Sequence, residues 1–139
     1  MTEQTQHILN ISQNLIERLS FIKIKPAFIC CEAFSSSLIP TLKAMYPEAK
    51  INAENKADLL ISLLPISEEQ TEEWKKGLKS GGLLMFGFQE NGMAVRDIGD
   101  YFVQAGFMNV VIDVEDGAIY GHAWMPRGEQ VFLNEIRRV

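Results

Sequence analysis

The sequence lacks the features that mark several specialised classes of protein. Its only cysteines, Cys30 and Cys31, are adjacent in an apolar run, where they cannot sensibly bridge one another. No apolar run is long enough to span a membrane, and there is no internal repeat or low-complexity tract. We also find no signal peptide. These absences favour a cytoplasmic protein whose cysteines stay reduced.

Positive charge is scarce as well. Lysine and arginine number 13 against 18 aspartates and glutamates, which gives a formal net charge of -5, and the basic residues form no cluster. A surface for nucleic acid or for an anionic membrane needs such a cluster. No metal-ligand spacing is present either. We therefore expect no nucleic-acid partner, no membrane and no metal.

The remaining composition is ordinary for a soluble globular protein, with 47% hydrophobic and 22% charged residues. A chain of 139 residues buries roughly two thirds of its unfolded surface without help from a metal or a disulfide. We therefore expect one domain over residues 1–139.

The stretch from Ala57 to Phe88 organises the rest of the chain. Its two apolar runs are rich in branched residues, which is typical of strands buried on both faces. Between them, Ser67 and Gln70 have the spacing of a helix capping box, and Gly81 or Gly82 is placed to end that helix in a left-handed conformation. Strand, helix and strand at this spacing form a right-handed parallel crossover. The sequence therefore predicts an α/β fold.

The other elements follow from periodicity and from proline and glycine positions. The predicted helices are Thr5–Ser20, Ser35–Tyr46 and Asp97–Ala105, the last ended by Gly106. The predicted strands are Ala27–Glu32, Phe107–Val114 and Ala118–Met125, of which the last two are joined by a tight turn at Glu115–Gly117. Glu129–Val139 is amphipathic and is compatible with either a strand or a helix.

Residues 48–56 present a problem of length. Lys50–Ala53 has the composition of a strand, but only Glu54, Asn55 and Lys56 separate it from the next strand. A return between parallel strands needs about a dozen residues. We therefore interpret Lys50–Ala53 as a loop or a short edge fragment and not as an ordinary parallel strand.

Four stretches, spread from one end of the chain to the other, share one similarity. They are Leu15–Leu19 with Ile22–Pro26, the glycine turn Lys79–Leu84, Arg96–Asp100 with Gln104–Phe107, and Tyr120–Trp124. Together they resemble the class I S-adenosylmethionine (SAM)-dependent methyltransferases, and among them the malonyl-acyl-carrier-protein methyltransferases of biotin synthesis. The resemblance implies a reduced Rossmann-like sheet of order 1-4-5-7-6 in family numbering, with its last strand antiparallel and helices on both faces.

The sequence departs from the family pattern where the family binds SAM. Cys31 stands where the family has an acidic residue, and Ala33, Ser35 and Ser37 stand where it has three glycines. Glycine is used there because a Cβ blocks positive φ and close approach to the cofactor. Phe34 adds further bulk to the same loop.

The second half of the implied cofactor site is changed too. The acidic residue that holds the ribose aligns with Asn55, or with Glu54 after a one-residue slip, and Leu63 stands where the family has a polar residue. The helical insertion that covers the substrate is replaced by Glu115–Gly117. The positions that the resemblance marks as vestiges of a cofactor site are Cys31, Ala33, Ser35, Ser37, Asn55 and Ser62.

Three groups of residues admit two interpretations each. Ser35–Ser37 suit anion binding at a helix N-terminus or capping of that terminus by their own hydroxyls, and we favour capping. We favour a buried structural thiol over a nucleophile for Cys31, because nothing pairs a histidine with it. Tyr120, His122 and Trp124 alternate along a strand, and we interpret them as a packed aromatic face and not as a catalytic set.

These observations leave three functional hypotheses. The leading one is a pseudoenzyme, a methyltransferase-like domain that binds no SAM and serves protein–protein interaction as a homodimer or with another chain. The second is a working SAM-dependent methyltransferase of the malonyl-acyl-carrier-protein type, completed by a partner chain. The third is a small-ligand site in the crevice above Cys31, Ser35 and Ser62.

Overall fold

The computed structural model describes residues 2–127, which form an alternating α/β arrangement. The helices are α1 Glu3–Leu19, α2 Ile39–Met45, α3 Glu68–Gly77 and α4 Val95–Ala105, and a short 3-10 helix at Ser36–Leu38 precedes α2. The strands are β1 Phe28–Glu32, β2 Lys50–Ile51, β3 Ala57–Ser62, β4 Leu78–Gln89, β5 Met108–Glu115 and β6 Ala118–Trp124. The amphipathic stretch Glu129–Val139 lies outside the described residues.

The strands form one mixed sheet of order β2-β1-β3-β4-β6-β5. β1, β3 and β4 are parallel, and β6 runs antiparallel to both β4 and β5. In family numbering the order is 1-4-5-7-6 with one short strand added outside strand 1. The predicted sheet order and the antiparallel last strand are therefore confirmed.

Helices cover both faces of the sheet, and each face has its own hydrophobic core. The α3–α4 core is built on Trp74, Phe86, Ile98 and Phe102, with α3 and α4 on the sheet. The α1–α2 core is built on Leu15, Leu19, Leu42, Leu59 and Met85, with α1 and α2 on the opposite face. Helices on both faces were predicted, and α4 buries Ile98, Phe102 and Ala105, which recur at helical spacing.

β2 corrects the prediction for residues 48–56. Lys50 and Ile51 pair with Phe28 and Ile29 of β1 in parallel, so of the two alternatives the short edge fragment is confirmed and the loop is wrong. Parallel pairing is possible because β2 is so short. The link 52–56 returns by only about two residues along the sheet and crosses two strand spacings, a distance of about 12 Å. Five residues reach that far at about 3.5 Å each.

The start of α3 is as predicted. The Ser67 hydroxyl accepts a hydrogen bond from the Gln70 N–H at 3.0 Å, and Glu68 and Glu69 lie in the first turn, where they complement the helix dipole.

The end of α3 differs from the prediction. The helix ends at Gly77, and Leu78 is already extended, so neither Gly81 nor Gly82 acts as its stop. Gly81 has a φ of 78° but lies inside β4. Ala57 of β3 pairs with Leu78 and Leu59 pairs with Leu83, so β4 uses five residues where β3 uses two. The left-handed glycine therefore makes a bulge at the start of β4, which is held by hydrogen bonds between Gly81, Gly82 and Met125 of the chain that follows β6.

The turns around β5 follow the predicted chemistry. Gly106 ends α4 with a φ of 93°. Asp116 and Gly117 join β5 to β6 with φ values of 49° and 76°, the two positive values of a type I′ hairpin turn. The hairpin pairs β5 with β6, and β5 is the last strand at this end of the sheet.

Candidate functional site

The carboxyl ends of the parallel strands β1, β3 and β4 meet at one edge of the sheet. The chain leaves this edge at Ala33 after β1, at Leu63 after β3 and at Glu90 after β4. In open α/β sheets, ligands bind in the crevice at this edge. We therefore compare the six predicted site positions with what the structure places there.

Ala33 retains the backbone conformation of a glycine loop. Its φ is 56°, in the left-handed region that disfavours a Cβ. The following serines are engaged locally, because the Ser35 N–H donates to the Ser12 hydroxyl at 3.1 Å and the Ser35 and Ser37 hydroxyls lie 2.8 Å apart. No side chain caps the 3-10 helix or α2, so the capping role that we favoured for these serines is wrong.

Glu32 provides the acidic group that ends β1, but it faces away from Cys31. Its Oε1 accepts a hydrogen bond of 2.6 Å from the indole Nε1 of Trp74 in α3. The Trp74 side chain is fully buried. Sequence analysis missed this contact. Strand alternation alone places Glu32 on the α3 face, and a buried tryptophan needs an acceptor.

The resemblance assigned the ribose-binding position at the end of the second strand to Asn55, but the residue that follows β2 is Asn52. Asn52 has a φ of 56°, and its Oδ1 accepts a hydrogen bond of 2.8 Å from the Cys31 N–H. The amide thus continues the ladder beyond the two-residue strand. Asn55 is exposed in the loop two residues before β3 begins, so the structure does not bring it together with the other predicted positions.

Cys31 sits in surroundings that disfavour a thiolate. Burial, with a smaller contribution from Cys30, raises the pKa of the Cys31 thiol to about 12. The pKa of Cys30 is also raised, by burial and by the nearby Glu32. A reactive cysteine needs the opposite shift, so the surroundings of Cys31 favour the structural role.

Ser62 ends β3 in a fully buried position. Its hydroxyl accepts a hydrogen bond of 3.1 Å from the Leu64 N–H and so satisfies the turn that leaves the strand. Leu63 is buried as well. The polar group at this corner is used within the chain.

Two adjoining cavities open at the carboxyl edge, both against the first half of α1. The first has about 300 Å³ and is largely apolar; its lining residues are Gln4, His7, Ile8, Ile11, Ala33, Leu63, Leu64, Pro65, Phe88 and Gln89. The second has about 440 Å³ and is more polar; its lining residues are His7, Asn10, Ile11, Asn14, Gln89, Asp116, Gly117, Ala118 and Tyr120. Among the described residues that line the first cavity, none is acidic.

A further cavity of about 560 Å³ lies at the opposite, amino edge of the sheet, between the segment before β1 and the end of α2. It is lined by residues such as Pro26, Met45 and Tyr46 and includes none of the six predicted site positions. We therefore place the candidate site at the carboxyl edge.

The aromatic face of β6 packs on α1. Tyr120 is buried, and the Arg18 guanidinium carbon lies 4.4 Å from the centre of its ring. Arg18 also donates to Asp113 at 2.9 Å and to Glu115 at 2.7 Å, which ties α1 to the β5–β6 hairpin. Burial, together with the positive charge of Arg18, lowers the pKa of His122. These contacts favour the packed-face interpretation.

The resemblance implies that SAM would lie at the carboxyl edge, and several polar side chains there already make hydrogen bonds within the chain. Such a cofactor needs free acceptors for its ribose and amino group and room beside the backbone after β1. Here Oε1 of Glu32, Oδ1 of Asn52 and the hydroxyl of Ser62 each accept a hydrogen bond from within the chain. Ala33 adds a Cβ where the family has none.

No protein-family model and no curated protein sequence matches the chain. Solved structures do match its fold. It is similar to a methyltransferase from Pyrococcus furiosus, with a TM-score of 0.58 and 10% identity over 84% of this chain and 82% of that one. It is similar to precorrin-6y C5,15-methyltransferase from Geobacter metallireducens, with a TM-score of 0.61 and 10% identity over 84% and 88%.

A third similar structure is human N-acetylserotonin methyltransferase in complex with SAM, with a TM-score of 0.54 and 12% identity over 88% of this chain and 56% of that one. At such identities the likeness shows the fold alone. The chain therefore has the Rossmann-like fold of the class I SAM-dependent methyltransferases.

Two further properties concern residues 2–127. No helix among them is long and apolar enough to cross a membrane. No group of three or more histidine, cysteine, aspartate or glutamate side chains in this part of the chain is arranged to hold a metal ion.

Proposed function

We propose that this methyltransferase-fold protein does not bind SAM and serves as a protein-interaction module. The fold supplies the frame, and fold alone does not determine function. The proposal rests on the side chains at the carboxyl edge, where a cofactor of this fold would lie.

The proposal rests on how Glu32 and Ala33 are arranged at the carboxyl end of β1. The Glu32 carboxylate is held by the Trp74 indole at 2.6 Å on the opposite face, and Ala33 turns the chain with a Cβ on its left-handed backbone. Freeing the carboxylate would leave the N–H of a fully buried tryptophan without a partner, which costs about 1–3 kcal/mol. This arrangement favours internal stability over ligand binding.

Calorimetric titration of the purified full-length chain with SAM and with S-adenosylhomocysteine tests this proposal. We expect no heat of binding at ligand concentrations up to about 0.5 mM. A flat titration over this range would mean that any Kd lies above the micromolar values typical of a usable cofactor site. A functional SAM-dependent methyltransferase serves as the positive control. A micromolar Kd for either compound overturns the proposal.

A variant sharpens this test. The triple substitution Ala33→Gly, Ser35→Gly and Ser37→Gly restores the family's loop composition while Glu32 stays bound to Trp74. We expect this variant to remain silent as well, because the loop would regain its glycines while the Glu32 carboxylate stays held by Trp74 on the α3 face. Binding by the triple variant would place the obstruction in the loop alone.

The second candidate function is a SAM-dependent methyltransferase of the malonyl-acyl-carrier-protein type, completed by a partner chain. Two observations favour it: Ala33 keeps the φ of a glycine loop, and two adjoining cavities stay open at the carboxyl edge. Transfer of labelled methyl from SAM to malonyl-acyl-carrier protein, assayed with the chain and with cell extract added, tests it. Transfer that depends on this chain favours this function over the first.

A further inference from the structure

Exposed large apolar side chains concentrate at one end of the sheet. Among the described residues they are Phe21, Val95, Val103, Val111 and Val114, and all except Phe21 belong to α4 or β5. Val103 is 65% exposed, and Val111 and Val114 are each about half exposed. Val114 lies on the same face of β5 as Ile112, toward α4, whereas Val111 lies on the opposite face, so exposed apolar side chains flank both sides of this edge. Exposed apolar side chains concentrated in this way on a soluble protein mark an interaction surface.

β5 is an edge strand with few of the usual protections. It has eight residues, Met108–Glu115, and within residues 2–127 its outer side pairs with no other strand. Natural edge strands are guarded by lysine, proline, bulges or short length. β5 contains neither lysine nor proline, and its irregularity, with Asn109 at a φ of 51°, lies near its start. From Val111 to Glu115 the strand pairs regularly with β6, and its outer side is open to pairing.

α4 carries an apolar stripe beside this edge. Val95, Gly99 and Val103 are spaced by four residues and therefore share one side of the helix. A Cβ built on Gly99 would lie 3.7 Å from Cδ1 of Ile112, so this side of α4 adjoins the middle of β5. The stripe and the open strand edge form one continuous surface, which we call the β5–α4 surface.

The charges on this surface favour a second copy of the chain. Asp113 and Glu115 share Arg18 of their own chain, at 2.9 Å and 2.7 Å, which offsets one of their two negative charges and reduces repulsion between copies. Arg96 and Asp100 lie at the solvent side of the α4 stripe, one turn apart. In an antiparallel pair of α4 helices centred on Gly99, Arg96 of each copy falls next to Asp100 of the other. The surface is thus complementary to itself.

We propose that the β5–α4 surface is the interface of a symmetric homodimer. The two β5 strands pair antiparallel about Ile112, which places Val110 opposite the partner's Val114 and joins the two sheets into one. Gly99 lies beside Ile112, so the same two-fold axis brings the two α4 helices together at their smallest residue. This inference gives a surface and a partner to the interaction role proposed above, and its biological purpose rests on that role.

Light scattering coupled to size exclusion, from about 5 to 500 µM protein, tests the proposal. We expect a mass twice the 15.7 kDa of the chain at the upper concentrations. Val103→Glu and Val111→Lys each put a charge on the surface without disturbing the core, and each is expected to weaken association at least about tenfold. Phe21→Glu is the matched control, because Phe21 is 83% exposed and belongs to neither β5 nor α4, and it is expected to leave the dimer unchanged.

A charge swap tests the orientation of the helices. Arg96→Asp and Asp100→Arg are each expected to weaken the dimer, and the double variant is expected to restore it, because the cross-pairs re-form with reversed sign. Circular dichroism confirms that each variant is folded. Loss of binding without rescue in the double variant would contradict the antiparallel pairing of α4.

Other outcomes overturn the proposal outright. A wild-type chain that is monomeric at 500 µM excludes the dimer, and so does a dimer that survives both Val103→Glu and Val111→Lys. A monomeric wild type whose truncation after Arg127 becomes dimeric would assign the surface to residues 128–139 of the same chain. The cofactor titrations are read separately, so SAM binding by a dimer refutes the proposed function and leaves this interface standing.

Discussion

Ala33 and Asn52 are two non-glycine residues that hold a left-handed backbone after β1 and β2. Both have a φ of 56°, but they differ in consequence. Asparagine tolerates the left-handed region and uses its amide to extend the sheet ladder. Alanine has no such compensation, and it therefore keeps the shape of a glycine loop at a cost in strain. Neither φ value is evident from the sequence, because each depends on where the neighbouring strand ends.

The strain at Ala33 leads to a stability prediction. Ala33→Gly is expected to stabilise the folded chain by up to about 1 kcal/mol, because relief of the left-handed conformation exceeds the added entropy of the unfolded glycine. Ala44→Gly is the matched control. It lies exposed in α2, where glycine is expected to destabilise by about 1 kcal/mol. Urea unfolding of both variants gives the signs, and equal destabilisation would show that Ala33 is unstrained.

A second prediction at this scale concerns Cys31. Its pKa of about 12 against an ordinary value of 9.0 implies about a thousandfold smaller thiolate fraction near neutral pH. In a Cys30→Ser background, Cys31 is expected to react with an aromatic disulfide reagent at pH 8 at least about a hundredfold more slowly in the native chain than in urea. Rapid reaction in the native state would indicate an activated thiol and revive the nucleophile interpretation.

The same shift makes stability depend on pH in a defined direction. The thiol pKa is raised on folding, so its contribution is fully present below the unfolded value near 9 and is lost as pH rises toward about 12. We expect Cys31→Ala to flatten the fall in stability between pH 9 and 11, the range accessible to denaturant titration. A profile identical to that of the wild type would show that other groups dominate.

At the scale of elements, sequence periodicity predicted most of the helices and strands. The features it missed depend on pairing between residues that are distant in the chain. The helix periods, the Ser67 cap and the Gly106 stop are local features, and they are found where predicted. The bulge at Gly81 depends on the register between β3 and β4, and the short β2 depends on pairing across the chain. No local pattern specifies either of them.

The candidate site was less predictable than the fold for the same reason. Its decisive contact joins Glu32 to Trp74, which are 42 residues apart in the chain. The family resemblance directed attention to Cys31, whereas strand alternation turns the acidic group to the other face. The resemblance also placed the ribose position at Asn55, because it could not anticipate a strand of only two residues.

Arg18 links α1 to the β5–β6 hairpin, and its removal gives a prediction at the scale of elements. Arg18→Met loses two carboxylate partners and the contact over Tyr120, and it is expected to destabilise the chain by about 1–2 kcal/mol. Lys76→Met removes one exposed pair, to Glu73 at 3.4 Å, and should cost under about 0.5 kcal/mol. Equal costs in urea unfolding would show that Arg18 is not a special link.

The same variant has a spectroscopic consequence at His122. Burial and the charge of Arg18 lower the pKa of this histidine, so the neutral ring is favoured in the folded state and stability is lost as pH falls through the folded pKa. Removing the cation in Arg18→Met is expected to raise the His122 pKa in an NMR titration. An unshifted His122 would assign its pKa to burial alone.

At the scale of the whole molecule, the sheet joins two cores through shared strands. Leu60, Leu84 and Phe86 point into the α3–α4 core, while their neighbours Leu59 and Met85 point into the α1–α2 core. Central strands buried on both faces leave neither core able to persist without the other. We therefore propose that the chain folds as one domain despite its two hydrophobic layers.

The chain offers a direct test of that unity, because each core contains one tryptophan. Trp74 is buried in the α3–α4 core, and Trp124 packs against the α1–α2 core. In the single-tryptophan variants Trp124→Phe and Trp74→Phe, the urea midpoint from fluorescence is expected to coincide with that from far-ultraviolet circular dichroism in the same variant, as it does in a two-state transition. Trp74→Phe also frees Glu32, so its midpoint is expected to lie lower, but both probes should fall together. If the two midpoints differ within either variant, one core unfolds before the other. The shared strands would then not couple the two cores into one cooperative unit.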